Sequence, residues 1–234
     1  MKLIPYESRL QAGELLAKFV LNQNPALKHN ISEKIEEVFL FAIPNGGVPV
    51  AEGFCKVIGN KYDILIVRKI KIPYNTEAGF GSVTTDGTVL INEALLSQLN
   101  LSENSINNSI EITKKEIRER INLYNKSFDV ESTYNTLINN HIIFLVDDGL
   151  ASGFTMLAAI KMIKKYTPKK LYVAVPTAPE HTVIRIQHEI DEIYCPNIKK
   201  TSWFAVAEAY KHWYDLSESE VIDLMKNSKF LIKS

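Results

Sequence analysis

Charge of one sign does not dominate this sequence. Lys plus Arg and Asp plus Glu both count 27 in 234 residues, so no overall basic field draws the chain onto nucleic acid regardless of base sequence. Long apolar runs are lacking too. None approaches the roughly 20 residues needed to cross a bilayer, and the opening MKLIPYESRLQAGELL has no uninterrupted apolar stretch of the secretory type. Cysteine is scarce: Cys55 and Cys195 stand far apart and neither belongs to a CxxC pair, which points to reduced thiols in a cytoplasmic protein. His29, His141, His181, His188 and His212 show no HExxH or other ligand spacing, so no metal site is expected on the chain itself. Repeats and low-complexity segments are also missing.

What is present is a regular alternation of apolar blocks. ESRLQAGELLAKFVL (7–21) predicts a helix with Leu10, Leu15, Leu16, Phe19 and Val20 near one face, and NQNPALKHNISEK reads as a polar connection. VFLFAI (38–43) and DILIVRKI (63–70) read as two buried strands, with PNGG as a turn and VPVAEGFCKVIGN as a helix between them, one βαβ unit. GFGSVTTDGTVLINEALL (79–96) carries Asp86-Gly87, a two-residue hairpin signal, and predicts a β-hairpin projecting from the sheet. SENSINNSIEITKKEIRERINLY (102–124) places Ile106, Ile110, Ile117 and Ile121 at helical intervals and predicts a long amphipathic helix. HIIFLV then reads as strand, SGFTMLAAIKMIKKY as helix, LYVAVP (171–176) as strand, HTVIRIQHEI as helix and DEIYC as a short strand. The aromatic tail TSWFAVAEAYKHWYDLSESEVIDLM closes on a helix with Ser217 and Glu220 in capping-box register. This order predicts an α/β fold with a mostly parallel central sheet flanked by helices, and one domain over 1–234.

Ligands in such sheets sit at the carboxyl ends of strands, near the point where strand order reverses. Three strand ends qualify: 44–47, 68–73 and 147–155. The third is IIFLVDDGLASGFT (142–155), an apolar strand running into two acids. Asp147 and Asp148 are adjacent on extended chain, so they point to opposite sides and can hold two hydroxyls or flank one ligand. Gly149, Ala151, Ser152 and Gly153 let the backbone curl, so that its N–H groups converge where a helix begins near Phe154, a setting that favours phosphate. Ser152 and Thr155 add hydroxyls. Carboxylates beside a phosphate cradle suit a sugar phosphate. Other readings compete: a solvated strand end before a capped helix, a Walker ATPase (GxxxxGK[ST] is missing), a nucleophile elbow (the centre of Gly149–Gly153 is Ala151, not Ser), and a phospho-acceptor receiver, whose acids belong at a domain start.

IIFLVDDGLASGFT resembles the phosphoribosyl-pyrophosphate motif of type I phosphoribosyltransferases: apolar strand, two acids, small-residue loop, Ser-Gly-x-Thr. PNGGVPVAEGF, DILIVRKI, TEAGFGSV and VAVPTAPEHTV, in that order, are similar to a branch of bacterial phosphoribosyltransferases of unassigned substrate, and the resemblance covers nearly the whole chain. It implies that Asp147 and Asp148 hold the ribose hydroxyls and that Gly149, Leu150, Ala151, Ser152, Gly153, Phe154 and Thr155 hold the 5-phosphate. Asn45, Gly46 and Gly47 would bind pyrophosphate through backbone amides, although the branch reads PRGG, so Asn45 removes a guanidinium. Arg68 and Lys69, on opposite faces of their strand end, would stabilise charge on the departing pyrophosphate, with Lys71 in reserve.

Further parts follow from the same resemblance. Hairpin 78–92, preceded by Glu77, corresponds to a lid that excludes water from a reactive ribosyl cation. Residues 196–234 form a C-terminal hood and helix, in which Trp203, Phe204, Tyr210, Trp213 and Tyr214 serve either as core or as a stacking platform for a base. Some relatives place a third acid three residues after the second, as general base on the incoming nucleobase; here that position is Ala151, so this route does not identify the acceptor as a purine. Mg²⁺ would arrive on the diphosphate of phosphoribosyl pyrophosphate. The implied activity is transfer of 5-phosphoribose to an unidentified nitrogenous base in nucleotide or nucleoside metabolism, with a homodimer allowed and no membrane or nucleic-acid partner. Two alternatives stand: a regulatory protein that senses phosphoribosyl pyrophosphate without catalysis, and a hydrolase or phosphorylase of a ribosylated compound. Against the first, KKYTPKK (164–170) is the only basic patch and no helix-turn-helix is added.

Overall fold

Most element ends follow from local chemistry. In the computed structural model, which describes residues 5–33, 37–126, 129–201 and 204–232 apart from the side chain of Thr76, Ser8 accepts the Gln11 amide and opens α1 (Arg9–Gln23). Asn24 ends that helix and caps the next, α2 (Pro25–Ser32), with Pro25 at its first position. The polar connection expected there is therefore partly helical, because Asn-Pro suits a helix start as well as a loop. β1 (Val38–Ala42), α3 (Gly47–Ile58), closed by Gly59 at φ 78°, and β2 (Lys61–Ile64) form the expected βαβ unit. Then come β3 (Val67–Ile72), β4 (Asn75–Thr84), β5 (Val89–Ile91), the short α4 (Glu93–Leu96), α5 (Glu103–Leu123) and α6 (Val130–Ile138), the last not anticipated. β6 (Ile142–Val146), α7 (Phe154–Lys164), β7 (Lys170–Ala174), β8 (Thr177–Pro179), α8 (Glu180–Gln187), β9 (Glu192–Tyr194) and β10 (Asn197–Lys199) follow. A 3-10 turn at Val206–Ala209 leads to α9 (Glu218–Asn227), whose Ser217–Glu220 capping box is complete.

Five parallel strands make the central sheet, in the order β2-β1-β6-β7-β9. The order reverses between β1 and β6, so the crevice beyond their carboxyl ends is the place for a ligand. Side chains alternate to two cores. Leu40, Ala42, Phe144 and Val146 face α1, α3, α5 and α9, while Phe41, Ile143 and Leu145 face α6 and α7.

The strand expected over 63–70 is two strands. Leu65 N–H still bonds the Ala42 carbonyl at 2.9 Å, but Ile66 N–H turns to Thr85 Oγ1 at 2.8 Å. The chain thus leaves the central sheet for a second, antiparallel one, β3-β4-β5. Residues 62–67 are buried throughout the crossing, so hydrophobicity marks no break.

The Asp86-Gly87 turn forms as expected, with Gly87 at φ 82° and the Asp86 carboxylate accepting from the Thr84 and Thr88 hydroxyls. The hairpin does not project, however. Phe80 and Val83 are fully buried, and Asp86 is tied to Lys165 and Tyr166 just beyond α7. The exposed end of this sheet is the opposite one, at residues 73–75 and Glu77. α1 likewise differs in its face: Leu10 and Leu15 are exposed, and Ala12, Gly13, Leu16, Ala17 and Val20 are buried. The cause is a close crossing with α3, where a Cβ on Gly13 would lie 2.0 Å from the Val50 carbonyl oxygen and one on Gly53 would lie 1.9 Å from that of Leu10.

Candidate functional site

Two turns meet where the strand order reverses. Ala42 pairs with Val146, and Ile43 N–H bonds the Val146 carbonyl at 2.9 Å, so the chain after β1 runs beside the chain after β6. Backbone closeness requires glycine at Gly47, and glycine at Gly46 leaves room for the Asp148 carboxylate. A Cβ on Gly47 would lie 2.6 Å from the Val146 oxygen, and one on Gly46 would lie 1.9 Å from Asp148 Oδ2. The preceding Pro44–Asn45 peptide is cis. Asn45 uses its amide on both sides: Nδ2 donates to the Leu216 carbonyl at 2.7 Å, and Oδ1 accepts from the Tyr124 hydroxyl at 3.3 Å.

Asp147 and Asp148 are partly shielded from solvent. The Asp148 amide donates to Asp147 Oδ1 at 2.8 Å. Burial first, and the neighbouring Asp148 charge second, push the Asp147 carboxyl well above the usual carboxylate range. Burial also raises Asp148, with a guanidinium pulling it back. That guanidinium is Arg9, at the first position of α1, whose Nε donates to Asp148 Oδ2 at 2.7 Å. Sequence reasoning missed Arg9. No local signal marked it, because the stripe that buries Arg9 with Gly13, Leu16, Ala17 and Val20 is not the leucine-rich face that apolar spacing predicts.

The tail closes over Arg9. Its Nη1 donates to the Tyr214 carbonyl at 3.0 Å, and its guanidinium carbon lies 4.0 Å from the centre of the Trp213 ring. Tyr210 packs between Tyr6 and Trp213, and its hydroxyl donates to the Asp148 carbonyl at 2.6 Å. Tyr210 and Trp213 are thus bound into the acid pair's support. Tyr214 is largely exposed, Phe204 half-buried, and Trp203 lies outside the described residues.

The loop after the acids is fastened mainly by its carbonyls. Thr182 Oγ1 donates to the Ala151 carbonyl at 2.7 Å and Arg185 Nη1 to that of Ser152 at 3.1 Å, while Leu150 N–H bonds the Thr177 carbonyl at 3.0 Å. Gly153, at φ 74°, stands as the N-cap of α7 and supplies no capping side chain, and among the described residues only the Phe154 amide reaches one nearby, Ser152 Oγ at 3.4 Å. Ala151, Ser152 and Thr155 are exposed beside that helix start. An anion-favouring helix terminus therefore opens next to two carboxylates.

Arg68 and Lys69 were expected at the end of a central strand. They lie instead in β3, paired with Val83 and Ser82 of the antiparallel sheet. Arg68 Nε reaches Glu116 of α5 at 3.4 Å, Lys71 reaches the same carboxylate at 3.3 Å, and Lys69 Nζ donates to the Glu77 carbonyl. A register shift at Ile70/Lys71 puts Arg68 and Lys71 on one side despite their odd spacing. The structure thus brings Asn45, Gly46, Gly47, Asp147, Asp148 and residues 149–155 to one end of the central sheet, and holds Arg68 and Lys69 on the neighbouring sheet.

Comparison with known proteins gives the family and the fold. The phosphoribosyl transferase domain family matches residues 20–213. A Mycobacterium tuberculosis protein provisionally named a phosphoribosyl transferase, recorded in two strains, is 28% identical over 185 residues. That match spans 79% of this chain and 40% of the relative, so this chain covers about two fifths of the curated relatives' length. A crystal structure of a Thermus thermophilus protein has the same fold, with a TM-score of 0.71 and 23% identity over 94% of this chain and 97% of that one. Among the described residues no helix is long and apolar enough to cross a membrane. The chain belongs to the phosphoribosyl transferase domain family, in its α/β form with a parallel central sheet.

Proposed function

We propose that this chain transfers 5-phosphoribose from phosphoribosyl pyrophosphate to a nitrogenous base and releases pyrophosphate. The observation that carries this reading is the meeting of the two turns, where Gly46 leaves to the Asp148 carboxylate the space a Cβ would fill. Asp147 and Asp148 take the ribose hydroxyls and favour the cationic transition state. The open start of α7, with Ser152 and Thr155, takes the 5-phosphate. Backbone amides of Asn45, Gly46 and Gly47 take the diphosphate, and Arg68 and Lys69 act on the leaving group from the neighbouring sheet. Mg²⁺ enters on the diphosphate as part of the substrate. The position of the third acid is Ala151, so the acceptor loses its proton by a route that this loop does not supply.

One observation favours the sensing alternative. Arg9 neutralises Asp148, which weakens the field that would stabilise a ribosyl cation and leaves binding without turnover as the second reading. Calorimetric titration with phosphoribosyl pyrophosphate and Mg²⁺ separates these from a different phosphate ligand. Wild type is expected to bind in the micromolar range. Asp147→Asn, which keeps an oxygen for the Asp148 amide, is expected to lose roughly tenfold or more, the scale of a charge-assisted hydrogen bond. Pyrophosphate release across a panel of bases then distinguishes enzyme from sensor. No binding by folded wild type would overturn both.

A further inference from the structure

Asn45 carries no charge, yet its turn is assigned the most highly charged part of the substrate. The Tyr124 hydroxyl that donates to Asn45 Oδ1 at 3.3 Å is itself within 3.3 Å of Arg120 Nη1. Arg120 sits four residues before Tyr124 on α5, so its guanidinium lies one hydroxyl away from the turn. Its side chain is only 17% exposed, and Nη2 is paired with Glu218, the first residue of α9.

We infer that Arg120 is a further diphosphate-binding cation of this site, the guanidinium beside the uncharged turn at 44–47, and that Glu218 is its resting partner, displaced when diphosphate binds. The inference rests on the phosphoribosyl-transfer reading and adds a binding residue to it. A guanidinium has five donors in a planar fork, so Arg120 can keep Tyr124 while exchanging a carboxylate for phosphate oxygens. Arg120 acts beside Arg68 and Lys69 and not in their place: Arg68 and Lys71 share Glu116 and Lys69 bonds the Glu77 carbonyl on the antiparallel sheet, while Arg9 holds Asp148 and Lys126 holds Asp63. Glu218 can let go without unravelling α9, since that helix is capped by Ser217 and Glu220. Its side chain is also the more exposed of the pair, at 42%. Because Asn45 also donates to Leu216, two residues before Glu218, occupancy of the turn is felt directly by the C-terminal segment.

The test is calorimetric titration of the full chain with inorganic pyrophosphate and Mg²⁺, and separately with phosphoribosyl pyrophosphate and Mg²⁺. Thermal melts establish folding. Arg120→Gln is expected to weaken both ligands by roughly tenfold or more, and Glu218→Gln to tighten pyrophosphate by removing its competitor. Opposite signs are the signature, since a merely structural ion pair moves both variants the same way. Unchanged binding in Arg120→Gln, or equal or weaker binding in Glu218→Gln, overturns the inference while wild-type binding of phosphoribosyl pyrophosphate preserves the reading beneath it. Folded wild type that binds neither ligand overturns both. Should Arg120→Gln fail to fold, Glu218→Gln is decisive alone: tighter binding supports the inference, and equal or weaker binding overturns it.

Discussion

At Asp147, burial and the adjacent Asp148 both oppose the charge, so its carboxyl is raised above its ordinary 3.8 in the folded chain. Well below that value both folded and unfolded chains hold the proton, and the group contributes nothing to the pH dependence. As pH rises the unfolded chain releases it first, so the folded state loses stability until its own raised value is passed, and the loss then stays constant. Asp147→Asn cannot ionise. It is therefore expected to melt higher than wild type at about pH 7, by roughly 2–4 °C for each kcal/mol relieved in a chain of this size, with the gap closing toward about pH 4. Scanning calorimetry at the two pH values checks this, and a lower melting temperature near neutrality would contradict it. The same variant is expected to lose ligand, the pattern of a residue kept for function at the expense of stability. The acids, glycines and hydroxyls of residues 147–155 are near neighbours in sequence, which is why they could be read there. Arg9 could not, because its partner is 139 positions away.

Among the elements, the helix at 7–21 was readable from apolar spacing, but its face was not. Leucines dominate any hydrophobic count, whereas α1 turns its glycine and alanines inward because only small residues let two backbones approach as α1 and α3 do. That crossing positions Arg9 against Asp148. Gly53→Ala is expected to destabilise the chain by about 1–3 kcal/mol, as an overpacked contact does, and to weaken phosphoribosyl pyrophosphate binding as α1 is pushed back with Arg9. Leu15→Ala, on the exposed face of the same helix, is expected to stay within about 0.5 kcal/mol of wild type. Urea unfolding of both variants measures the difference, and equal effects would remove the crossing as the cause. The split of residues 63–70 into β2 and β3 is the companion case: burial continues across it, so no periodicity could show the chain changing sheets.

Over the whole molecule, one antiparallel sheet and one C-terminal segment frame the end of the central sheet. The hairpin turn at Asp86-Gly87 is anchored to residues beyond α7, and the exposed end of that sheet is at residues 73–75 and Glu77. If part of this sheet closes over ligand, it is that end. Cleavage after Glu77 by a glutamate-specific protease is then expected to slow several-fold with phosphoribosyl pyrophosphate and Mg²⁺, in the way ligand-driven closure protects a loop. Cleavage unchanged at saturating ligand would rule closure out. The C-terminal segment spans the site through Tyr210 on Asp148, Tyr214 on Arg9, Leu216 on Asn45 and Glu218 on Arg120. The central strands with their flanking helices, the two glycine-bearing strand ends and the capping box at Ser217 were legible in the sequence alone, because each depends on residues a few positions apart. Which cations stand beside the carboxylates, which face of α1 is buried and what the aromatic tail covers came only with the folded chain. Those contacts join residues from a few dozen to about two hundred positions apart, and no local periodicity or spacing encodes such a pairing.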